Sequence, residues 1–394
     1  DDLKYISEEV FLQIKNYTIS KDDLYVTIAG TIGVTGEVPT ELDGMNLTEN
    51  AVKITNIQIN KNYLCLIIQS EFVQQQFQDK THQVAMPKLA LERILSTLIP
   101  VCTITTQSAM VSKFVEMDSL INQIREEKEI LAETVSLTKS KILDLAIRGK
   151  LVPQNPDDEP ASVLLERIRA EKEELIKAGK IKRDKKESII FKGDDNSYYE
   201  KVGVEIRCID SEIPFEIPDG WMYERLGNIC SIARGGSPRP IENYLTDDEN
   251  GLNWIKIGDT EQGGKYIYST KEKIRPEGLS KTRYVCSGDF LLTNSMSFGR
   301  PYILRTNGCI HDGWLVIGGI EIAFHQDYLY YMLSSSIMYN ALSSLAVGST
   351  VKNLKSDSVK SLLVPIPPLA EQACISRQIE NYFATMLPIE RSLS

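Results

Sequence analysis

The sequence predicts an α+β protein in which two mixed α/β domains are each followed by a long helix. Two observations support this fold class. An apolar stripe with helical spacing extends through residues 114–151, and segments from the first quarter of the chain recur at a nearly constant distance further along it. A recurrence of that kind predicts a duplicated structural unit.

The first predicted domain comprises residues 1–113 and mixes strands with helices. Over residues 24–38, β-branched residues alternate with other types and glycines interrupt them, which predicts a strand, a turn and a second strand. Residues 61–77 form an apolar segment with an aromatic residue near each end. Its spacing indicates a helix.

Residues 114–151 are predicted to form the first spacer helix. Its apolar positions recur at steps of three, four and seven, which places them on one helical face: Met117, Ile121, Ile124, Leu131, Val135, Ile142 and Leu145. Gly149 follows the last of them and is suited to a left-handed C-cap. At about 1.5 Å per residue, some 34 residues make a rod of roughly 50 Å. That length is typical of one strand of a coiled coil.

Three further segments complete the predicted order. Residues 152–213 are predicted to hold a connecting helix and a linker, whose charged run at 180–187 is expected to be solvated. Residues 214–368 are predicted to form the second domain. Residues 369–394 are predicted to form a second spacer helix, which is still running where the sequence stops.

The internal repeat holds its register over three segments. An offset of 265 places residues 62–77 on 327–342 and residues 95–107 on 360–372, and an offset of 266 places residues 23–33 on 289–299. Chance would not keep three segments in step over that distance. By this alignment the first domain lacks a counterpart of residues 214–266 and the second helix is cut near its middle, so we expect the sequence to be part of a longer protein.

Composition limits the classes of protein to which the chain can belong. With 42% hydrophobic and 25% charged residues, it is predicted to be globular. The longest uncharged run, residues 329–351, contains six serines, so we do not interpret it as a membrane span. Seven scattered cysteines without a C-x-x-C motif favour a reducing cytoplasm over a disulfide framework or a zinc site. The net charge of −10 predicts that any attraction to nucleic acid is local.

Catalytic motifs are missing from the sequence. His82, His311 and His325 are not spaced as a metal pair, and there is no nucleophile elbow, Walker loop or dinucleotide-binding glycine pattern. The sequence at 155–158 lacks the aromatic residue of a DNA aminomethyltransferase motif, and no nuclease-type (D/E)-x-K follows Asp219. We therefore expect no catalytic, metal-binding or cofactor-binding residues in this chain.

Two stretches of the second domain favour binding to DNA. Residues 233–244 form a glycine-, serine- and proline-rich loop with two arginines, and arginine can bind the major-groove edge of guanine through two hydrogen bonds. Residues 265–305 hold eight lysines and arginines against three acids, a local charge of +5 with interleaved tyrosines. Such a reversal of sign is what a phosphate-facing surface requires. The alternative interpretation is a basic face that is merely solvated.

These stretches and the strand between them supply the candidate DNA-binding residues. They are Arg234, Ser237, Arg239, Lys256, Lys265, Lys273, Arg275, Lys281, Arg283, Asn294, Ser295, Ser297 and Arg300. Among these, Asn294, Ser295, Ser297 and Arg300 follow a predicted strand at 290–292 and are the candidates for reading bases, since asparagine can bridge N6 and N7 of adenine.

Several motifs resemble those of one known family, the specificity subunits of Type I restriction–modification systems. Residues 344–372, with Val364-Pro365-Ile366-Pro367-Pro368-Leu369 before Glu371-Gln372, resemble the end of a target recognition domain that continues into its conserved helix. Residues 217–240 and 254–259 resemble the start of such a domain, and residues 139–172 resemble the central conserved region. The first domain departs from the pattern, with Thr103-Ile104-Thr105-Thr106-Gln107 at the corresponding position.

The resemblance implies a non-catalytic DNA-recognition subunit. Each target recognition domain would read one half of a bipartite, asymmetric site on double-stranded DNA, and the long helices would pair as an antiparallel coiled coil that sets the separation. Two methyltransferase subunits, which use S-adenosylmethionine, would bind the conserved helices, and restriction/translocase subunits would join them. Leu137, Leu143 and Ile147, off the main stripe, are the candidate contacts for these partners; ordinary helix surface or a flank of the coiled coil is the alternative.

Two other hypotheses stay open at this point. A coiled-coil protein-interaction adaptor without DNA binding explains the helices but leaves the repeated domains and the local positive charge without a role. A single-chain restriction–methylation enzyme predicts methyl transfer by this chain alone, and the missing catalytic motifs argue against it.

Overall fold

The computed structural model describes residues 5–79, 88–181, 183, 187–261, 263–295, 298–346 and 353–393. The chain divides into two compact units, Asp1–Glu129 (unit 1) and Ile130–Ser394 (unit 2), and the boundary between them lies inside the longest helix. Among the described residues, no helix has both the length and the apolar character needed to cross a membrane.

Unit 1 is built on a three-stranded sheet and short helices. Its elements are α1 (Glu8–Ile14), β1 (Leu24–Thr27), β2 (Thr35–Glu37), β3 (Ala51–Ile54), α2 (Lys61–Gln69), α3 (Glu71–Asp79), α4 (Leu91–Leu95) and the first part of α5 (Ile104–Ile147). The sheet is antiparallel in the order β2-β1-β3. Leu24 and Val26 of β1 are fully buried and belong to one apolar cluster with Leu64 and Phe77 of the helices. The predicted strand, turn and strand over residues 24–38 are thus confirmed.

Helix α5 has 44 residues and begins ten residues before the predicted start at 114. Thr103 explains the earlier start, because its hydroxyl accepts a hydrogen bond from the Thr106 amide at 3.3 Å and so caps the first turn. The end is as predicted. Gly149 has a φ of +66°, and the Gly149 and Lys150 amides donate to the carbonyls of Ala146 and Leu145, which is a Schellman C-cap.

Unit 2 continues from α5 through one further helix to three short strands. These elements are α6 (Ala161–Lys177), β4 (Ser188–Lys192), β5 (Tyr198–Val202) and β6 (Glu205–Cys208). The three strands form an antiparallel sheet, so the segment predicted as helix and linker contains folded β-structure after the charged run. Packing is the physical reason: Ile190 and Ile209 are buried against Tyr223 and Leu363 of the following domain.

The remainder of unit 2 holds most of the strands. They are β7 (Met222–Arg225), β8 (Ser231–Arg234), β9 (Leu245–Thr246), β10 (Leu252–Ile255), β11 (Tyr266–Ile267), β12 (Glu272–Ile274), β13 (Arg283–Val285), β14 (Phe290–Thr293), β15 (Pro301–Leu304), β16 (Gly308–Ile310), β17 (Trp314–Gly318) and β18 (Leu363–Ile366). The helices are α7 (Leu226–Ile229), α8 (Gln326–Ser334), α9 (Ser336–Leu345), α10 (Ser356–Lys360) and α11 (Leu369–Leu393).

Two five-stranded sheets form the body of unit 2. One has the order β11-β15-β14-β17-β8, and the other has the order β13-β16-β10-β12-β9. The central strands β14 and β15 are buried at every position, as expected for strands covered on both faces. Phe290 and Leu292 of β14 belong to the main apolar cluster, whereas Leu291 on the opposite face packs with Trp314 in a second cluster.

The internal repeat is present in the strand register. In unit 1, Leu24 of β1 pairs with Glu37 and Val26 pairs with Thr35. In unit 2, the residues 266 positions later pair in the same way: Phe290 with Ile303 and Leu292 with Pro301. Each central strand also pairs with a third strand on its other side, β3 in unit 1 and β17 in unit 2.

Within unit 2, the last part of α5 pairs antiparallel with α11. Lys139 Nζ lies 2.7 Å from Glu390 Oε1 near the end of α11. At the other end of the pair, Gly149 packs closely on Trp221, and Trp221 Nε1 donates to Glu371 at the start of α11 at 2.8 Å. The predicted antiparallel pairing of the two long helices is therefore confirmed for this part of α5.

The apolar stripe of α5 is buried only in part among the described residues. Val135 and Ile142 lie in the main core of unit 2, whereas Met117, Ile121 and Ile124 in unit 1 are each more than half exposed.

Candidate nucleic-acid interface

The glycine-rich loop at 234–240 follows β8 and lies directly against two backbone segments. A Cβ on Gly235 would collide with the His311 carbonyl, and a Cβ on Gly236 would lie 2.7 Å from the Lys281 carbonyl. Glycine at both positions therefore allows the loop to pack on β16 and on the start of β13. The two glycines thus serve close approach to the protein's own backbone.

Asp312 is the centre on which the loop's polar side chains converge. Its carboxylate accepts hydrogen bonds from Ser237 Oγ at 2.9 Å and from Arg239 Nη2 at 3.2 Å. Its backbone carbonyl accepts from Arg234 Nε at 2.9 Å and from Asn294 Nδ2 at 2.8 Å. Burial alone would raise the pKa of Asp312. The Ser237 hydrogen bond and the charges of Arg234 and Arg239 help to outweigh burial and lower the pKa, so the carboxylate stays ionised at neutral pH and orients Arg239.

Other cations of the predicted set surround this loop. Lys281 Nζ donates to Tyr244 Oη at 2.6 Å and lies 4.9 Å from the centre of the Tyr244 ring. Arg283 Nε donates to the Arg234 carbonyl at 3.1 Å, and Lys273 Nζ donates to the Glu249 carbonyl at 3.2 Å. Arg234, Arg239, Lys281 and Arg283 thus lie on or beside the glycine-rich loop, whereas Lys273 in β12 points to the opposite face of the sheet from Glu272, which lines the loop side. We call Arg234, Ser237, Arg239, Lys281 and Arg283 the cationic loop surface.

A cavity of about 740 Å³ adjoins this surface, lined by Arg239, Trp254, Lys256 and His311 among others. Lys256 forms an ion pair with Glu272. Burial, together with the nearby Lys256 charge, lowers the pKa of His311 against the opposing pull of Asp312 and Asp259. A neutral His311 accepts a hydrogen bond at Nδ1 from the Gly313 amide. The cavity therefore combines an aromatic wall with two cations at its rim.

Two predicted DNA-binding residues are in the wrong environment for that role. Lys265 is largely buried, forms ion pairs with Asp327 at 2.6 Å and with Glu380 at 3.5 Å, and lies 4.6 Å from the centre of the Tyr331 ring. Asn294 is fully buried. Its amide supports the Asp312 carbonyl, so it cannot present an edge to adenine in this structure. Both expectations of direct contact are corrected because folding uses these polar groups internally.

The remaining candidates are not part of the cationic loop surface. Arg275 is exposed just after β12, and Ser295 is half-buried beyond Asn294. Ser297 lies outside the described residues. Arg300 is exposed and lines a different cavity of about 690 Å³ with Tyr302, Tyr330 and Tyr339.

The three candidate partner contacts differ in exposure. Leu137 is 63% exposed, as expected. Leu143 and Ile147 are 8% and 1% exposed and belong to the main core of unit 2. The expectation that these two residues are exposed is wrong, because the last turns of α5 pack against the domain that follows and not only against α11.

Sequence reasoning misses two organising residues. In the sequence, Asp312 stands out only as the neighbour of His311, and Tyr244 only as the end of the glycine-rich loop. The sequence carries no charge signal for Asp312, because no lysine or arginine lies between residues 306 and 351 and its cationic partners come together only in the fold. In the part of the chain that the structure describes, no group of three or more His, Cys, Asp or Glu side chains is arranged to hold a metal ion.

Fold and surface together define a tandem α/β protein whose repeated units each lead into a long helix, with clustered cations on the second unit. Comparison with protein-family models places residues 218–393 in the Type I restriction modification DNA specificity domain. Among curated proteins, the chain is 31% identical over 250 residues to the Type I restriction enzyme EcoEI specificity subunit of Escherichia coli, which covers 59% of this chain and 36% of that protein. It is 35% identical over 158 residues to the EcoAI specificity subunit of Escherichia coli, covering 40% of this chain and 23% of that protein.

Solved structures share the fold. One is titled as the structural basis of complex assembly and conformational transition of the type I R-M system. The match covers 95% of this chain and 77% of that chain, with a TM-score of 0.59 and 18% sequence identity. The crystal structure of the HsdS subunit from Thermoanaerobacter tengcongensis matches over 96% of this chain and 77% of the HsdS chain, with a TM-score of 0.52 and 18% sequence identity.

Residues 218–393 thus match the Type I restriction modification DNA specificity domain, and the chain is similar to curated Type I specificity subunits. It spans less than two fifths of the length of the two curated relatives named above. The comparisons give no support to the alternative of a coiled-coil adaptor without DNA binding.

Proposed function

We propose that this chain is a DNA sequence-recognition subunit of a Type I restriction–modification complex and reads a bipartite, asymmetric target on double-stranded DNA. The observation that carries the proposal is that the matched specificity domain, residues 218–393, contains the whole cationic loop surface. The chain itself performs no chemistry in this proposal. Methyl transfer and cleavage belong to its partners.

Electrostatics supports DNA as the ligand of the cationic loop surface. The chain carries a net charge of −10, so a general attraction to a polyanion is lacking. Cations gathered in one place, several of them tethered by Asp312, Tyr244 and backbone carbonyls, provide the local attraction instead. Ordering these side chains before binding lowers the entropy that binding would otherwise cost. Phosphate contacts of this kind fix the position of a protein on the duplex.

The partners in this proposal are two methyltransferase subunits, which bring S-adenosylmethionine, and the restriction/translocase subunits. The exposed parts of the long helices are their docking surface, and Leu137 is the exposed member of the predicted contact set. Such a complex acts in the bacterial cytoplasm, which agrees with cysteines that are all free.

A domain exchange tests the proposed function most directly. Methylated adenines are mapped in DNA modified by the complex of this chain with its methyltransferase subunits, and residues 214–368 are then replaced by the corresponding domain of a relative. We expect one half of the recognised sequence to change and the other half to stay. A change in both halves, or in neither, would contradict the proposal.

Salt dependence provides a second measurement on the same complex. A phosphate-binding surface loses affinity steeply as salt rises, because counterions released from the duplex drive binding. Gel shifts of the mapped target at increasing salt should show this decline. A salt-independent affinity would contradict phosphate binding, and an affinity that does not depend on this chain at all would favour the adaptor alternative.

A further inference from the structure

One buried glutamine in unit 1 joins the domain to its long helix. Gln107 is the fourth residue of α5 and is fully buried. Its Oε1 accepts a hydrogen bond from the backbone amide of Asn60, the N-cap of α2, at 2.8 Å. Its Nε2 donates to the Cys102 carbonyl at 2.7 Å. One side chain thus links the starts of two helices.

Unit 2 contains the same arrangement 265 residues later. Gln372 is the fourth residue of α11 and is also fully buried. Its Oε1 accepts from the backbone amide of His325, the N-cap of α8, at 2.8 Å. Its Nε2 donates to the carbonyls of Pro367 and Ala323, both at 3.0 Å. His325 and Pro367 are the repeat counterparts of Asn60 and Cys102.

The chemistry of the contact requires glutamine. Its amide accepts at one atom and donates at the other, so it satisfies a backbone N–H and a backbone carbonyl at once. Glutamate at this position would set an oxygen against the carbonyls. Leucine would leave the backbone amide of Asn60 or His325, and the carbonyls on the other side of the side chain, without their partner.

We infer that Gln107 and Gln372 are positioning residues, each of which fixes the angle between its domain and the long helix of the same unit. The effect of these angles on DNA recognition rests on the proposed function. If each domain reads one half-site, the two angles set which spacing and rotation of half-sites the complex accepts. One added base pair displaces a half-site by about 3.4 Å and rotates it by roughly a tenth of a turn, so a loosened angle should broaden the accepted spacing.

The test compares Gln107→Leu and Gln372→Leu in the full chain, assembled with its methyltransferase subunits. The DNA probes carry the mapped target with the natural spacer, or with the spacer lengthened or shortened by one base pair. We expect the wild-type complex to prefer the natural spacer strongly and each variant to lose about tenfold or more of that preference, since misplacement by an ångström can cost a hundredfold in a positioned reaction. An equal loss of affinity for all three spacers would show a merely structural role and overturn the inference.

Controls separate positioning from folding. Gln123→Leu removes an exposed α5 glutamine that donates to Glu127 and should keep the wild-type spacer preference. Where a leucine variant fails to fold, the asparagine variant at the same position keeps the amide but shortens its reach, and provides the same comparison.

Hydrogen exchange tests the contact apart from DNA recognition. The amides of Asn60 and His325 should exchange faster in the leucine variant of their own unit, and unchanged protection would overturn the inference. If the wild-type complex shows no bipartite target at all, the proposed function fails, and the exchange result alone decides whether these glutamines hold the domains on their helices.

Discussion

The two units of this chain share an architecture but differ in what is built upon it. Unit 1 has the three-stranded sheet β2-β1-β3, and unit 2 has β15-β14-β17, in which β14 and β15 pair in the register of β1 and β2. Unit 2 extends this sheet with β11 and β8 and adds a second five-stranded sheet. The shared part is the support that joins a domain to a long helix, and the added part carries the cationic loop surface.

The cationic loop surface and the buried glutamines occupy different parts of unit 2. Arg234 ends β8 and Ser237 and Arg239 follow it, in a stretch that the repeat alignment places before Asp1 of unit 1. The buried glutamines, in contrast, occur in both units with equivalent contacts. We therefore expect changes in the added part to affect unit 2 alone and changes in the shared part to have matched effects in both units.

The largest effect is expected from Trp221→Ala, because Trp221 connects the end of α5 with the start of α11 in unit 2. Trp221 is 4% exposed, packs against Gly149 and donates to Glu371. Truncation leaves a cavity and removes the indole N–H donor from the Glu371 carboxyl, whose pKa burial already raises. We expect a loss of about 3–5 kcal/mol in the free energy of unfolding of unit 2.

Urea unfolding followed by tryptophan fluorescence measures this loss, since Trp254 and Trp314 also lie in unit 2. Trp221→Phe is the matched control, because it keeps most of the packing and loses only the N–H donor, so its cost should be smaller. Equal costs for the two variants would show that the hydrogen bond, and not the cavity, dominates.

Glu200 provides the second test, through the sheet that sequence reasoning assigns to a linker. Burial alone would raise the pKa of Glu200, but hydrogen bonds from Arg225, Ser188 and Arg207 outweigh it and hold the pKa at about 2, against an ordinary value of 4.5. A lowered pKa stabilises the fold above pH 4.5, and this contribution is lost as pH falls through the folded-state value. Unit 2 should therefore lose roughly 2 kcal/mol between about pH 4.5 and pH 2 from this group.

The variant Glu200→Gln should flatten that pH dependence and lower stability at neutral pH. Tryptophan fluorescence in urea at a series of pH values gives both results. Glu174→Gln, which removes an exposed ion pair with Lys177, is the control and should leave the curve unchanged. A Glu200→Gln variant with the wild-type pH profile would contradict the assignment.

Much of the repeated framework that joins a domain to its long helix could be predicted from the sequence, whereas much of the candidate DNA-binding surface could not. The repeat, the apolar stripe of α5 and the cap at Gly149 are local or periodic signals, and all are present in the structure. The sheet at 188–208 escapes sequence reasoning because its strands are short and follow a charged run. Lys265 and Asn294 are expected on the surface because a basic or polar residue is usually exposed, and only the fold shows the partners that bury them.

Arg300 and Arg239, which line different cavities of unit 2, should differ in how their loss affects DNA binding. We expect Arg300→Ala to weaken or relax recognition of the second half-site only, by about 1–3 kcal/mol if it reads a base. Arg239→Ala, on the cationic loop surface, should instead weaken binding to all sequences and reduce the salt dependence. Binding of the methyltransferase complex to targets with one altered half-site distinguishes these outcomes. An equal loss across unrelated DNA for Arg300→Ala would show that it merely contacts phosphate.

The smallest effect is expected from a matched pair in the shared part. Tyr63 Oη donates to the Pro100 carbonyl at 3.0 Å in unit 1, and its repeat counterpart Tyr328 donates to the Pro365 carbonyl at 3.4 Å in unit 2. Replacement by phenylalanine removes one neutral hydrogen bond and keeps the buried ring, so each variant should cost about 0.5–1.5 kcal/mol. The longer contact should cost less. Hydrogen exchange in α2 for Tyr63→Phe and in α8 for Tyr328→Phe measures the two losses separately, and a larger loss in unit 2 would show that the equivalent contacts differ in their roles.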